Sequence, residues 1–226
     1  FIDSIIIMNK LFITLLLGLS LISPSSWSAD FNKGLAAAQS GDFATALREW
    51  TPLAEQGHAN AQFALGVAYH NGEGVPQDYK TAVKWHTLAA EQGFALPQYA
   101  LGRMYHNGEG VLQDYKTAVK WYTLAAEQGY ADAQFNLGVM YATGLGVLQN
   151  YKTAVKWYTL AAEQGIEQAQ HNLGMLYRNG NGALQDYKTA VKWFKLASEQ
   201  GSAYAQFNLG LMYANGYGVL QNYKTA

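Results

Sequence analysis

The segment Tyr-Lys-Thr-Ala-Val-Lys-Trp-Tyr-Thr-Leu-Ala-Ala-Glu-Gln-Gly occupies residues 115–129 and occurs again, unchanged, at residues 151–165. The similarity extends outward, because 26 of 36 positions are identical when residues 98–133 are aligned with residues 134–169. The dipeptide Gln-Gly occurs five times, each time 36 residues after the last. A constant period of roughly 20 to 50 residues is typical of a solenoid, in which each repeat packs on its neighbours.

Each repeat is predicted to form a pair of α-helices. Apolar residues recur at helical spacing over residues 61–69 and again over residues 79–90. The first helix is predicted to end at Gly72 and the second at Gly93, because glycine readily takes the left-handed conformation that closes a helix. Asp78 is predicted to cap the second helix, since aspartate and asparagine alternate in its column and both accept bonds from exposed backbone N–H groups.

A glycine inside the first helix, Gly66 and its equivalents, costs about 1 kcal/mol relative to alanine. We expect close approach of the paired helices to compensate this cost. The tryptophan column, which begins at Trp85, is expected to fill the space between successive repeats. Trp50 stands one residue nearer its Gln-Gly than these tryptophans, which we interpret as the divergence of a terminal unit.

The repeat carries a long motif, Ala-x-x-x-Leu-Gly-x-x-Tyr-x-x-Gly-x-Gly-Val, a cap, and then Ala-x-x-Trp-Tyr-x-x-Ala-Ala-Glu-x-Gly, here at residues 133–165. This motif resembles the Sel1-like repeat family, relatives of the tetratricopeptide repeat, over about residues 58–226. The resemblance implies an all-α fold, a right-handed α-solenoid of helix-turn-helix repeats. A tetratricopeptide array is the nearest alternative, but its repeats are about 34 residues long and the period here is a constant 36.

Domain boundaries follow from this period. Residues 29–57 are assigned to an N-terminal helical cap unit. Four repeats are assigned to residues 58–93, 94–129, 130–165 and 166–201. Residues 202–226 are interpreted as a truncated fifth repeat, whose first helix is expected to expose an apolar face and to fray.

Residues 1–28 are predicted to be a secretory signal peptide. One positive charge, Lys10, precedes a mostly apolar run that Pro24 interrupts, and Ser28 suits the cleavage site. We interpret Met8 as the start and residues 1–7 as read-through from upstream. An uncleaved membrane anchor is the alternative, although Lys10 interrupts the apolar stretch. The predicted location is the bacterial periplasm or the exterior, with no stable membrane span after the signal is removed.

Composition excludes several classes of protein. Half of the residues are hydrophobic, 14% are charged and the formal net charge is −1, which disfavours both a disordered chain and a nucleic-acid binder. Cysteine is absent, so neither disulfides nor thiolate metal sites can form. We predict no cofactor; the sequence leaves the oligomeric state open.

Chemical roles have weak support in the sequence. Some cysteine-rich relatives are described as β-lactamases, and an envelope hydrolase is therefore one alternative function. Against it, the chain has no Ser-x-x-Lys and no serine between Ser40 and Ser198. His70 and His106, each followed by a glutamate three residues later, could suggest metal binding, but a histidine in the last turn also interacts favourably with the helix dipole. We therefore predict no metal site and no enzyme.

Two further surfaces have a structural explanation. The lysines at 80, 84 and their equivalents could bind a polyanion, yet glutamates balance them and the net charge is near zero. The periodic aromatic residues could stack on glycans, which makes a glycan-binding solenoid the second alternative. Their strict period is explained equally by packing in the core, and His86 belongs to one of these packing columns.

The remaining signal is variation between repeats at the end of the first helix and in the turn that follows. These positions are the candidate partner-binding residues: His70, Glu73, Arg103, His106, Glu109, Thr143, Arg178 and Asn181. If first helices line a groove, as the resemblance implies, these side chains decorate it. We predict an exported, non-enzymatic scaffold that binds a protein or peptide as an adaptor or regulator in the bacterial envelope or in host interaction.

Overall fold

The computed structural model describes residues 26–222 and Lys224, with side chains from residue 31 onward. These residues form eleven α-helices and no β-strand. In chain order the helices are α1 Ser26–Gln39, α2 Phe43–Glu55, α3 Ala59–Asn71, α4 Tyr79–Ala90, α5 Ala95–Asn107, α6 Tyr115–Glu127, α7 Ala131–Thr143, α8 Tyr151–Glu163, α9 Glu167–Asn179, α10 Tyr187–Glu199 and α11 Ala203–Asn215. The predicted class, an all-α solenoid of helix-turn-helix repeats, is confirmed.

The chain divides into two compact units. Of the described residues, one unit contains those up to residue 97 together with 109–111, and the other contains 98–108 and those from residue 112 onward. In the first unit, the predicted end of α3 is confirmed, because Gly72 closes the helix with a φ of 75°. The end of α4 comes earlier than predicted, at Ala90, and Gly93, with a φ of 93°, lies in the turn that follows. Asp78 caps α4 as predicted, since its carboxylate accepts hydrogen bonds from the backbone N–H groups of Lys80 and Thr81.

The glycine inside the first helix makes room for an aromatic ring of the paired helix in four repeats. A Cβ atom added to Gly138 would lie 2.6 Å from the Tyr158 ring. The equivalent pairs are Gly66 with His86, Gly102 with Tyr122 and Gly174 with Phe194. The predicted close approach of the helices is confirmed, and the ring that fills it belongs to the column after the tryptophans.

This geometry corrects the interpretation of Trp50. A Cβ atom on Gly34 would lie 2.4 Å from the indole nitrogen of Trp50, as one on Gly66 would lie against His86. Trp50 therefore belongs to the His86 column, 36 residues earlier, and is not a displaced member of the Trp85 column. Its indole N–H donates to the Phe31 carbonyl oxygen at 3.2 Å, so a polar atom in the buried ring is satisfied.

The later tryptophans pack in the core and lie under lysines. Trp193 is 8% exposed and packs with Tyr158 and Leu173 in one apolar cluster, as expected for a residue between repeats. The ammonium group of Lys192 lies 5.1 Å from the centre of the Trp193 ring, and Lys156 lies 4.9 Å from that of Trp157. Lys156 and Lys192 are equivalents of Lys84, so within this unit these lysines cover aromatic rings of the core.

Buried glutamines link consecutive helices. Gln134, only 4% exposed, donates from Nε2 to the Ala126 carbonyl oxygen at 3.1 Å and accepts at Oε1 from Gln164 Nε2 at 2.8 Å. We name the repeated arrangement the glutamine ladder; its pairs are Gln62 with Gln92, Gln98 with Gln128, Gln134 with Gln164, and Gln170 with Gln200. Each pair satisfies buried amides that would otherwise be costly.

Replacing Gln164 with leucine is expected to reduce the free energy of unfolding by about 1–3 kcal/mol, because the buried Gln134 oxygen loses its donor. Urea denaturation followed by circular dichroism measures the change. Gln168→Leu, an identical substitution at an exposed position of α9, is the matched control and should be nearly neutral. Equal stability of the two variants would contradict the role given to the ladder.

Both ends of the sequence carry predictions that remain open. Most of the predicted signal peptide, residues 1–25, lies outside the described residues, and the predicted cleavage after Ser28 falls in the first turn of α1. None of the helices in the described part is long and apolar enough to cross a bilayer. At the other end, α11 exposes Tyr204 and Phe207, with 78% and 67% of their surfaces accessible. The truncation of this repeat and the fraying of α11 stay predictions.

Candidate partner-binding surface

The predicted site residues lie at the ends of first helices and in the turns that follow them. His70 lies in the last turn of α3, in the same compact unit as the turn residues Glu73 and Glu109. The other five belong to the second unit: Arg103, His106, Thr143, Arg178 and Asn181. Within the first unit, the structure brings His70 and Glu109 into contact.

In the first unit, His70 pairs with a turn residue of the next repeat. Its Nε2 lies 3.0 Å from Glu109 Oε2, and its Nδ1 lies 3.1 Å from Asn71 Oδ1. Its ring also meets Tyr79 edge-on, with centroids 5.1 Å apart. The sequence suggested helix dipole interactions or a metal-binding turn with Glu73. The observed carboxylate partner lies instead 39 residues along the chain, which the sequence analysis missed.

Glu73 has a different environment from Glu109. Its carboxylate accepts a 3.3 Å hydrogen bond from Asn71 Nδ2. Burial raises the pKa of Glu73, and the Asn71 bond opposes this shift only in part. Within the described part of the chain, no group of three histidine, aspartate or glutamate side chains is placed to hold a metal ion.

In the second unit, Arg103 belongs to a half-buried group that we name the tyrosine–aspartate cluster, formed by Tyr99, Arg103, Tyr130 and Asp132. The rings of Tyr99 and Tyr130 lie 4.9 Å apart. Burial raises the pKa of Asp132, opposed by the Tyr130 hydroxyl and the charge of Arg103. Burial also raises the pKa of Tyr99 and Tyr130, and the nearby carboxylate adds to both shifts. Arg103 thus has an acid close by in its own unit.

His106 faces aromatic side chains. Its ring meets Tyr115 edge-on at 5.2 Å and lies 6.3 Å from Tyr122, and its buried Nδ1 has no hydrogen-bond partner. Burial lowers the pKa of His106, and the charge of Arg103 lowers it further. His106 therefore takes up a proton at a lower pH than an ordinary histidine does.

Two predicted residues make local contacts only. The Thr143 hydroxyl donates to the Val139 carbonyl oxygen at 2.8 Å, inside its own helix. The backbone N–H of Asn181 donates to the Leu176 carbonyl oxygen at 3.0 Å, which closes the end of α9. Neither contact connects these residues to the rest of the predicted set.

A cleft lies between the ends of α9 and α11, close to the start of α10. It encloses about 410 Å³. We name it the Arg178 cleft; its walls include Arg178, Asn179, Tyr187, Leu211, Asn215 and Tyr217. Tyr187 and Tyr217 stack with ring centroids 4.8 Å apart and an interplanar angle of 11°. Leu211 and Tyr217 are 39% and 45% exposed, so the cleft opens at the surface.

Arg178 is held in place by neutral groups. Its NH1 nitrogen donates to Asn208 Oδ1 at 2.6 Å, and its Nε donates to Asn179 Oδ1 at 3.2 Å. Asn208 is itself buried and fixed by Tyr204 and His171. No carboxylate of the described residues lies within 4 Å of the Arg178 nitrogens. The guanidinium is thus oriented without having its charge neutralised.

Several residues of these neighbourhoods were missed by the sequence analysis. Tyr187 was assigned to packing because its column is constant, and Asn208 was not considered. The number of residues between two positions is the sequence signal that could have indicated such contacts between repeats. Residues 39 apart meet in His70 and Glu109, and residues 30 apart meet in Arg178 and Asn208.

The paired helices, the constant packing columns and the variable helix ends define a helical-repeat scaffold. The Sel1 repeat family matches residues 59–94, 98–130, 131–166, 167–202 and 203–226. The chain belongs to the Sel1 repeat family, whose members are generally scaffolds that mediate protein interactions. No curated protein matches the chain significantly.

Solved structures show the same relationship. A protective antigen present in uropathogenic Escherichia coli strains, with an SLR fold, is 38% identical over 88% of this chain, with a TM-score of 0.85. This chain spans only 44% of that protein. A Sel1 repeat protein from Oxalobacter formigenes is 34% identical, with a TM-score of 0.81, over 85% of this chain and 79% of its own. An immunity protein from Pseudomonas aeruginosa shares the fold at 20% identity, with a TM-score of 0.50, over 87% of this chain and 75% of its own.

Proposed function

We propose that this protein is an exported, non-enzymatic scaffold that binds a protein or peptide partner and acts as an adaptor or regulator in the bacterial envelope or in host interaction. The observation that carries the proposal is the Arg178 cleft, where an oriented cation and two stacked tyrosines face an open surface. The signal-peptide pattern at residues 1–28 supports export. A protective antigen among the relatives is compatible with that location.

The two alternatives have less support. Glycan binding through tryptophans needs accessible rings, but Trp157 and Trp193 are each 8% exposed, and Trp85 and Trp121 are half-buried. A serine hydrolase needs a nucleophile in the central repeats, where serine is absent from the sequence. Sel1 repeat proteins are in general scaffolds rather than enzymes.

Site-specific photocrosslinking tests the proposal. A photoreactive amino acid is placed at Asn215 in the cleft wall or, as a control, at the exposed Glu127 at the end of α6. Both proteins are incubated with an envelope extract of the source bacterium and illuminated. We expect one protein to be crosslinked from position 215 and not from position 127. If neither position captures a protein, or both capture the same ones, the proposal of a specific scaffold is wrong.

A further inference from the structure

The Arg178 cleft differs from the equivalent position in the first unit in one respect. Arg178 stands 108 residues, three repeats, after His70, and Tyr217 stands the same distance after Glu109. In the first unit a protein carboxylate lies 3.0 Å from the imidazole. At the second position the cation is present, but a tyrosine stands where the carboxylate would be.

The unused donors of Arg178 define the chemistry of a ligand. A guanidinium carries five N–H donors, and the described residues accept from only two of its nitrogens. The acceptors are both amide oxygens, so no negative charge offsets the cation. A planar carboxylate can accept hydrogen bonds from the remaining N–H groups and would supply the missing negative charge.

The walls around the guanidinium define what surrounds that carboxylate. The stacked rings of Tyr187 and Tyr217 and the side chain of Leu211 offer an apolar surface. The side-chain amide of Asn215 donates to the Leu211 carbonyl oxygen at 2.7 Å, which leaves its oxygen as an acceptor for a peptide N–H.

We propose that the Arg178 cleft binds an internal aspartate or glutamate side chain of an extended peptide, flanked by an aromatic or aliphatic residue. The inference rests on the proposed function and specifies the partner's chemistry. The carboxylate bonds to Arg178, and the neighbouring apolar side chain packs on Tyr187, Tyr217 and Leu211. Affinity from one such contact is modest, and other parts of a partner would add to it.

The side-chain NMR signals of the arginines provide the test. The chain contains three arginines, Arg48, Arg103 and Arg178, so one spectrum reports on the site and two internal controls. The full chain is titrated with the amidated peptide acetyl-Gly-Ser-Phe-Glu-Phe-Ser-Gly, with its Phe-Gln-Phe counterpart, and with acetyl-Gly-Ser-Phe-Gln-Phe carrying a free C-terminal carboxylate. Arg178→Gln, checked by circular dichroism, removes the cation, and Arg48→Gln is its matched control.

We expect the Glu peptide to shift the Arg178 signal saturably and to bind about tenfold or more tightly than the Gln peptide, as the loss of a charge-assisted hydrogen bond implies. Arg178→Gln should abolish this preference, and Arg48→Gln should preserve it. Equal affinities, absence of a shift at millimolar peptide, or tightest binding of the free C-terminus would each overturn the inference.

The crosslinking experiment separates this inference from the proposed function. If Arg178→Gln still allows capture from position 215, the scaffold proposal stands and the carboxylate inference is wrong. If the parent captures nothing while the Glu peptide binds Arg178, the cleft inference stands and the scaffold proposal is wrong.

Discussion

Alanine at Gly146 is expected to reduce the free energy of unfolding by about 3 kcal/mol, through two separate effects. Gly146 has a φ of 73°, and an L-residue in that conformation costs about 1–2 kcal/mol. Its Cβ atom would also lie 2.4 Å from the Tyr115 carbonyl oxygen, a backbone atom that cannot turn aside. Overpacking of this kind costs about 1–3 kcal/mol. Urea denaturation of parent and variant measures the total.

Gly165→Ala separates the two effects. Gly165 has a φ of 92°, but a Cβ atom there would meet nothing within 4 Å. This control should lose only the conformational part, about 1–2 kcal/mol. If both variants lose the same stability, the close contact between Gly146 and the start of α6 does not contribute to the free energy of unfolding.

Acidification from pH 7 to pH 5 is expected to cost about 2 kcal/mol of unfolding free energy through His86 alone. The side chain is 2% exposed, its Nδ1 has no partner, and burial lowers its pKa to about 3. In the unfolded chain a histidine binds a proton near pH 6.5. Stability is therefore complete above that pH and is lost as the pH falls toward 3, by about 1.4 kcal/mol per unit.

His86→Phe removes the loss of unfolding free energy that His86 causes at low pH. It keeps an aromatic ring in the same place, since Phe194 fills the equivalent position in another repeat. Parent and variant are unfolded in urea at pH 7 and at pH 5. The parent should lose about 2 kcal/mol more than the variant over this range. The other histidines are common to both proteins and cancel in the comparison. Equal losses would show that His86 takes up its proton in the folded state.

The fold could be predicted from the sequence because its signals are local. The cap at Asp78 and the left-handed Gly72 depend on neighbouring residues only, and both were confirmed. Trp50 shows a signal that was present and misread, since adding 36 to its number reaches His86 rather than Trp85. Contacts between repeats were harder to predict. The bond from His70 to Glu109 depends on how one turn lies against the next repeat, which helix periodicity does not encode.

In the candidate site, too, local features could be predicted from the sequence and contacts between repeats could not. Variation between repeats selected Arg178 as a candidate, but not the residues that surround it. Tyr187 looks like every other member of its column, and it becomes a wall of the cleft only because Tyr217 stacks on it. The orientation of Arg178 depends on Asn208, a buried residue 30 positions away.

The glutamine ladder also bears on how such a gene can change in length. Each bond joins residues at fixed offsets, such as Gln134 to Ala126 and to Gln164, and all three positions recur every 36 residues. Unequal recombination that adds or removes 36 codons would regenerate every bond at the new junction. A length that is not a multiple of 36 would leave a buried amide without its partner, at a cost of about 1–3 kcal/mol. The ladder would thus favour gain and loss of whole repeats, so that related genes could differ in repeat number while each junction keeps the same chemistry.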